Sequence, residues 1–306
     1  MIIAMLASTA AAATAPAATV DRVPQDFPTI QAAVDHGTAP TIRVAPGTYT
    51  GATLTRAVHV QGQDAVITRG VRARGLRAAF ALPAAASGSA VSGMVVDCSH
   101  KGLDLGVYAS SRRLGSAAGD VEVFGNRFVS CAQAVTNAGG AAAACSTDRV
   151  DGGAYWAVHD NVIDGIATRS DGGRSGGGVG ILLYNTEGAD VYGNLFVGSV
   201  QDRPEFATTG VGLAGCVDCT VSGNQFQVAG GRYWYSAVSN SGANLPGAVA
   251  SRNLLLADND AFDDSSPWLG VSFVSRGSVD TSFDGNVGVA FVDHEICGDG
   301  ALYTAE

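Results

Sequence analysis

Lysine is almost missing from this 306-residue chain: of 18 basic residues only Lys101 is a lysine, and the rest are arginines. Charge of either sign is scarce at 15%, and the balance is acidic, with a formal net charge of −10. So acidic a chain is a poor candidate for general nucleic-acid binding, since phosphate neutralisation needs an excess of clustered Lys and Arg. The N-terminal apolar stretch is too short to span a bilayer, and no later run qualifies. No phosphate loop, dinucleotide fingerprint or Gly-x-Ser-x-Gly element is present either.

What the chain does have is glycine, 41 residues of it, and a repeat. Val121-Glu-Val-Phe-Gly-Asn126-Arg-Phe128 returns as Ala157-Val-His-Asp-Asn161-Val-Ile163 and as Asp190-Val-Tyr-Gly-Asn194-Leu-Phe196. It returns again around Asn224, Asn259 and Asn286, so that the asparagines are 35, 33, 30, 35 and 27 residues apart. A period of this size means a stacked, quasi-one-dimensional fold. Apolar residues three before the Asn, and a Phe or Ile two after it in most units, follow strand alternation on either side of a bend rather than helical spacing. An Asn placed in that strained bend can hydrogen-bond its neighbours above and below, forming a polar ladder inside the stack. The fold class expected is all-β: a single-stranded right-handed parallel β-helix, a solenoid of roughly eight coils.

Residues 1–18 read as a secretory signal peptide without its positive n-region, which leaves 19–306 as one β-helix domain. Six cysteines, an even number, suit export to an oxidising compartment. Cys98 and Cys131 fall at nearly equivalent places on adjacent coils, and Cys131 and Cys145 flank an Ala/Gly-rich loop, so the connectivity stays open. Cys216-Val-Asp-Cys219 has no second pair or nearby His to complete a zinc site.

Asp26-Phe-Pro-Thr-Ile-Gln-Ala-Ala-Val34 predicts a short amphipathic helix with Thr29 as N-cap and Ile30, Ala33 and Val34 on one face. Such a helix would cap the first coil, whose backbone and core would otherwise be open. Phe27-Pro-Thr-Ile-Gln-Ala-Ala-Val34 followed by Val44-Ala-Pro-Gly-Thr-Tyr49 resembles the opening of the pectate-lyase-like superfamily of secreted proteins, and the likeness extends over roughly residues 24–290. The resemblance implies coils of three strands, with the Asn bend between the second and third. It also implies substrate clefts along the exterior of the first strands and the loops before them. First strands then fall near Leu76, Leu103, Gln133, Gly178, Thr209, Tyr235 and Leu269. One fold hosts many chemistries, so the reaction has to be argued from residues.

In that frame Arg169, Arg203 and Arg232 stand eight, nine and eight residues after their Asn bends, forming a row across successive loops that Arg174 extends. Guanidinium groups pair carboxylates bidentately, as recognition of a polyuronate would require. Outward positions on first strands are assigned to Asp104, Tyr108 and Tyr184, with Lys101 just before them. Proton abstraction at C5 of a uronate needs a base, a cation to neutralise the carboxylate and a proton donor. The catalytic candidates are therefore Lys101, Asp104, Tyr108, Tyr184 and Arg203. The substrate-binding candidates are Arg169, Arg174, Asp202, Arg232 and Tyr233, the last offering a ring face to sugar. Tyr155-Trp156 splits, Trp156 sharing the inward phase of Val158. The residues name no definite cofactor, although the cluster Asp258, Asp260, Asp263 and Asp264 could hold calcium.

The function expected is a secreted, monomeric protein acting on an acidic polysaccharide or cell-surface glycan, foremost as a lyase. A non-catalytic glycan-binding protein, a C5-epimerase and a glycoside hydrolase are the alternatives. The last would need two facing carboxyl groups, for which Asp104 and Asp202 are the pair at hand.

Overall fold

The structure is a computed structural model that describes residues 20–73, 76–110, 117–138, 153–167, 178–200, 208–229, 235–240, 251–261, 273–276, 278–286 and 291–294. Its strands stack on their counterparts about one period away in sequence, in parallel register, and so form three sheets. The first sheet includes Leu76–Leu82, Leu105–Ser110, Gln133–Ala138, Val179–Glu187 and Thr208–Val217. The second includes Thr41–Val44, Glu122–Phe124, Ala157–His159, Asp190–Tyr192 and Thr220–Ser222. The third includes Arg127–Cys131, Val162–Ile166, Leu195–Val200 and Gln225–Ala229. The chain is a parallel β-helix.

Alternation decides what lies inside. Along the second sheet Val123 pairs with Val158, Val158 with Val191 and Val191 with Val221, all buried in one continuous core. On the third sheet the residues two after each Asn, Phe128, Ile163, Phe196 and Phe226, form an inner column, and the last two rings stack at 4.6 Å.

The Asn ladder forms with one change from the sequence expectation. Asn126, Asn161, Asn194, Asn224 and Asn259 are buried, and each donates its Nδ2 to the Oδ1 of the next rung at 2.9–3.0 Å, the series ending on Asn286. The strained residue is not the Asn but the one before it. Gly125, Asp160, Gly193, Gly223, Asp258 and Gly285 have φ between 51° and 62°. A left-handed bend suits Gly and tolerates Asp, which is why the repeat reads Gly-Asn or Asp-Asn. The bend continues one coil further as Gly93-Met94, where the Met94 amide donates to Asn126 Oδ1 at 3.0 Å.

The helix spans Ile30–His36, its N-cap Thr29 accepting from the Ala32 amide, with Ile30, Ala33 and Val34 buried as expected. Gln31 does more than decorate it. Its amide accepts from the Thr53 N–H at 2.8 Å and donates to the Thr53 carbonyl at 3.2 Å, imitating a neighbouring strand at the open edge of the first sheet. Arg56 donates to the Val34 and Ala39 carbonyls at the other end of the helix, where a cation is favoured. Cys98 and Cys131, on adjacent coils, form a disulfide with a Cα–Cα distance of 4.8 Å. Among the described residues no helix is long and apolar enough to cross a membrane.

Candidate functional site

Of the residues that the sequence nominates, Lys101, Asp104, Tyr108 and Tyr184 fall among those described. Arg169, Arg174, Asp202, Arg203, Arg232 and Tyr233 lie outside the described residues, as do residues 1–18, Leu269, Cys145, Asp263 and Asp264.

The outward presentation expected of Asp104 and Tyr108 is corrected by the structure. Both are buried, because Val71–Ala73 pairs antiparallel with Leu76–Leu82 and folds an arm over the start of the first sheet. Alternation also slips there: Gly106 lies against the Phe128 ring, and Leu105 turns outward to join Tyr108, Ala78, Ala81 and Ala73 in a satellite apolar cluster. Asp104 accepts from the Arg77 amide at 2.8 Å and donates its own amide to the Arg77 carbonyl, so its carboxylate helps to hold the start of the strand Leu76–Leu82. Lys101 is exposed in the turn before this strand. Tyr184 is half-buried on a strand two coils further on, its amide donating to Asn137 Oδ1 at 2.6 Å. Trp156 is fully buried as expected, donating Nε1–H to the Ala118 carbonyl at 3.0 Å.

The exterior of the second sheet carries a constellation that the nominated residues do not include. Because the strands are in register, the residues two before each ladder Asn form one outward column: Phe124, His159, Tyr192, Ser222 and Ala257. The Phe124 and His159 rings stack at 5.2 Å, and the His159 and Tyr192 rings at 4.6 Å, within 5° and 3° of parallel. His59 leans onto the upper end, 5.7 Å from Phe124, with Nε2 2.7 Å from Ser92 Oγ. Burial lowers the His59 pKa from its ordinary value, against a smaller upward pull from Glu122.

Carboxylates fringe the column. Glu122 Oε1 is 3.1 Å from His159 Nε2, and Asp160 Oδ2 is 2.8 Å from Nδ1. An imidazole that meets a carboxylate at each nitrogen is locked in orientation, and it can donate to both only when it carries two N–H groups. The Tyr192 pKa is raised, first by desolvation and then by Asp160, Glu122 and Asp190, so the phenol keeps its proton and remains a donor. Tyr192 is 39% exposed, unlike the rings above it. Tyr155 is 59% exposed at the start of the same strip and lays its ring on Gly188, where a Cβ would come within 2.7 Å of that ring. The signal for this column was in the repeat: reading position Asn−2 down the six units spells Phe, His, Tyr, Ser, Ala, Asp.

Among the described residues no cluster of three or more His, Cys, Asp or Glu side chains could hold a metal ion. Asp258, one of the four aspartates of the calcium expectation, sits exposed at a ladder bend with φ 51°.

No family model matches the chain, and no curated protein matches it. Among solved structures it is similar to the Dettilon tailspike protein, at 13% identity and a TM-score of 0.27, over 89% of this chain and 68% of that one. It is also similar to the catalytic domain of a GH87 alpha-1,3-glucanase in complex with tetrasaccharides, at 12% identity and a TM-score of 0.32, over 94% of this chain and 70% of that one. At those values the fold assignment rests on this chain's own strand register.

Proposed function

We propose that this chain is a secreted, polysaccharide-directed β-helix protein that engages glycan along the outer face of its second sheet. The observation that carries the reading is the ring column ending on the exposed Tyr192, with Asp160 and Asp190 beside it. Aromatic faces supply apolar burial to the C–H faces of sugars, and carboxylates accept from their hydroxyls. A solenoid repeats such a surface every ~4.8 Å, which suits an extended polymer. The Cys98–Cys131 disulfide supports secretion, since disulfides persist in oxidising compartments.

The finer form of the proposal is membership of the pectate-lyase-like superfamily and β-elimination on an acidic, uronate-containing glycan. It is supported by the opening residues Phe27–Val34 and Val44–Tyr49 and by the row Arg169, Arg203 and Arg232. Calcium held near Asp258 would stand in for those guanidinium groups as carboxylate neutraliser. A non-catalytic binding role is the second reading, and the burial of Asp104 and Tyr108 favours it, because buried groups beneath the arm cannot reach a polymer.

Affinity electrophoresis of the full chain in gels of galactomannan, xylan, dextran, polygalacturonate and alginate tests the broad reading, which predicts retardation in at least one. Absorbance at the unsaturated-uronate wavelength, with and without calcium, tests the finer one. A rise establishes elimination, whereas retardation without a rise leaves binding alone.

A further inference from the structure

The ring column stops abruptly, and the way it stops points to a ligand. His159 has a ring on both faces, Phe124 above and Tyr192 below. Among the described residues Tyr192 has a ring on one face only, and the position that would supply the next ring is Ser222, followed by Ala257. Serine and alanine are too short to rise to the level of the Tyr192 ring, so the column continues as a notch that spans these two positions. Tyr192 is 39% exposed. In the parallel column beside it stand Asp190, Thr220 and Leu255, and Leu255 is 39% exposed at the far rim of the notch.

We propose that this notch is a subsite for one uncharged pyranose residue of a polysaccharide, seated as the missing rung of the ladder. The inference rests on the glycan reading above and goes further in naming the subsite and its sugar class. A ring placed over Ser222 lies about one strand spacing, ~4.8 Å, below Tyr192. That is the separation at which Tyr192 already stacks on His159, and it falls within the range of favourable ring stacking. Leu255 closes the opposite side with apolar surface. Ser222, Thr220 and Asp190 offer the hydroxyl and carboxylate groups that a sugar's hydroxyls need.

The charge around the notch selects the sugar. Asp190, Asp218, Asp258 and Asp284 are exposed on the coils that frame it. Like charges brought together at a contact are disfavoured, so a uronate is repelled and a neutral pyranose is not. A uronate residue would call instead on Arg169, Arg203 and Arg232, the carboxylate-binding candidates of the sequence.

Ser222→Phe tests this directly, because it builds the missing rung from protein. The full-length variant is compared with the unsubstituted chain in galactomannan, xylan, dextran and polygalacturonate gels, with thermal unfolding recorded in parallel. The expected result is an unfolding midpoint that does not fall, and retardation at least tenfold weaker on whichever neutral polymer the parent chain binds. Ser222→Leu fills the same space with a smaller group and decides the matter if the Phe variant does not fold. Equal retardation of parent and folded variants overturns the notch while leaving the glycan reading intact. Retardation of the parent only by polygalacturonate overturns the neutral-sugar assignment, and no retardation in any gel removes the glycan reading and the notch with it.

Discussion

The side-chain amide of Asn194 donates to the carbonyl of Tyr192 at 3.1 Å, so the inner polar ladder holds the strand end that carries the exposed ring. Asn126 does the same for Phe124, Asn161 for His159 and Asn224 for Ser222. The inner ladder thereby fixes the height and spacing of the outer column, and the two are one construction read from opposite sides of the second sheet.

Removing a middle rung is therefore expected to be expensive. Asn194→Ala deprives the Asn161 backbone N–H and the Val158 carbonyl of their side-chain partners inside the core, while Asn161 Nδ2 keeps the Val123 and His159 carbonyls. Each buried group left unsatisfied costs roughly 1–3 kcal/mol, so a loss of about 3 kcal/mol or more is expected from denaturant unfolding. Asn286→Ala, at the half-buried end of the described ladder, is expected to cost clearly less.

The Cys98–Cys131 bridge closes a segment with a sequence separation of 33 residues. Cross-linking a loop of that length stabilises by roughly 2–4 kcal/mol. Replacing both cysteines by Ala should lower the unfolding free energy by about that amount, with strand content unchanged by circular dichroism.

His59 should make folding sensitive to mild acid. Its pKa is lower in the folded chain than the ordinary 6.5, chiefly through burial, so the unfolded chain binds a proton more readily. Stability from this group is fully present above the ordinary histidine value and is lost as pH falls from there through the lower folded value. Between pH 7.5 and 5.0 (roughly the span of an unperturbed histidine titration) the parent chain is expected to lose more stability than His59→Gln. Parallel pH profiles for the two would contradict this assignment.

Much of the fold was legible because its determinants are periodic. The Asn residues, the apolar positions three before them and the Phe or Ile two after them all recur in the sequence and all face inward, where packing tolerates little change. The bend was legible too, although its strained member is the Gly or Asp and not the Asn. The arm at Val71–Leu82 was not legible: an alanine-rich stretch carries little alternation, and one slip at Gly106 exchanged the faces of Leu105 and the residues around it. The slip turns Leu105 outward beside Tyr108, and the arm packed over that outer cluster is why Tyr108 is buried. The outer column was illegible in the sequence for a different reason. Its members share a place but not a chemistry, and Phe, His, Tyr and Ser become a series only once register puts them in line.

Calorimetric titration of the full chain and of Tyr192→Ala, with oligosaccharides of the neutral polymer that retards the parent chain, tests the central claim most directly. If glycan is bound along the ring column, Tyr192→Ala should remain folded and bind at least tenfold more weakly, in line with the loss of an aromatic anchor from a contact. Affinity within twofold of the parent would contradict the claim and move the binding surface away from the second sheet.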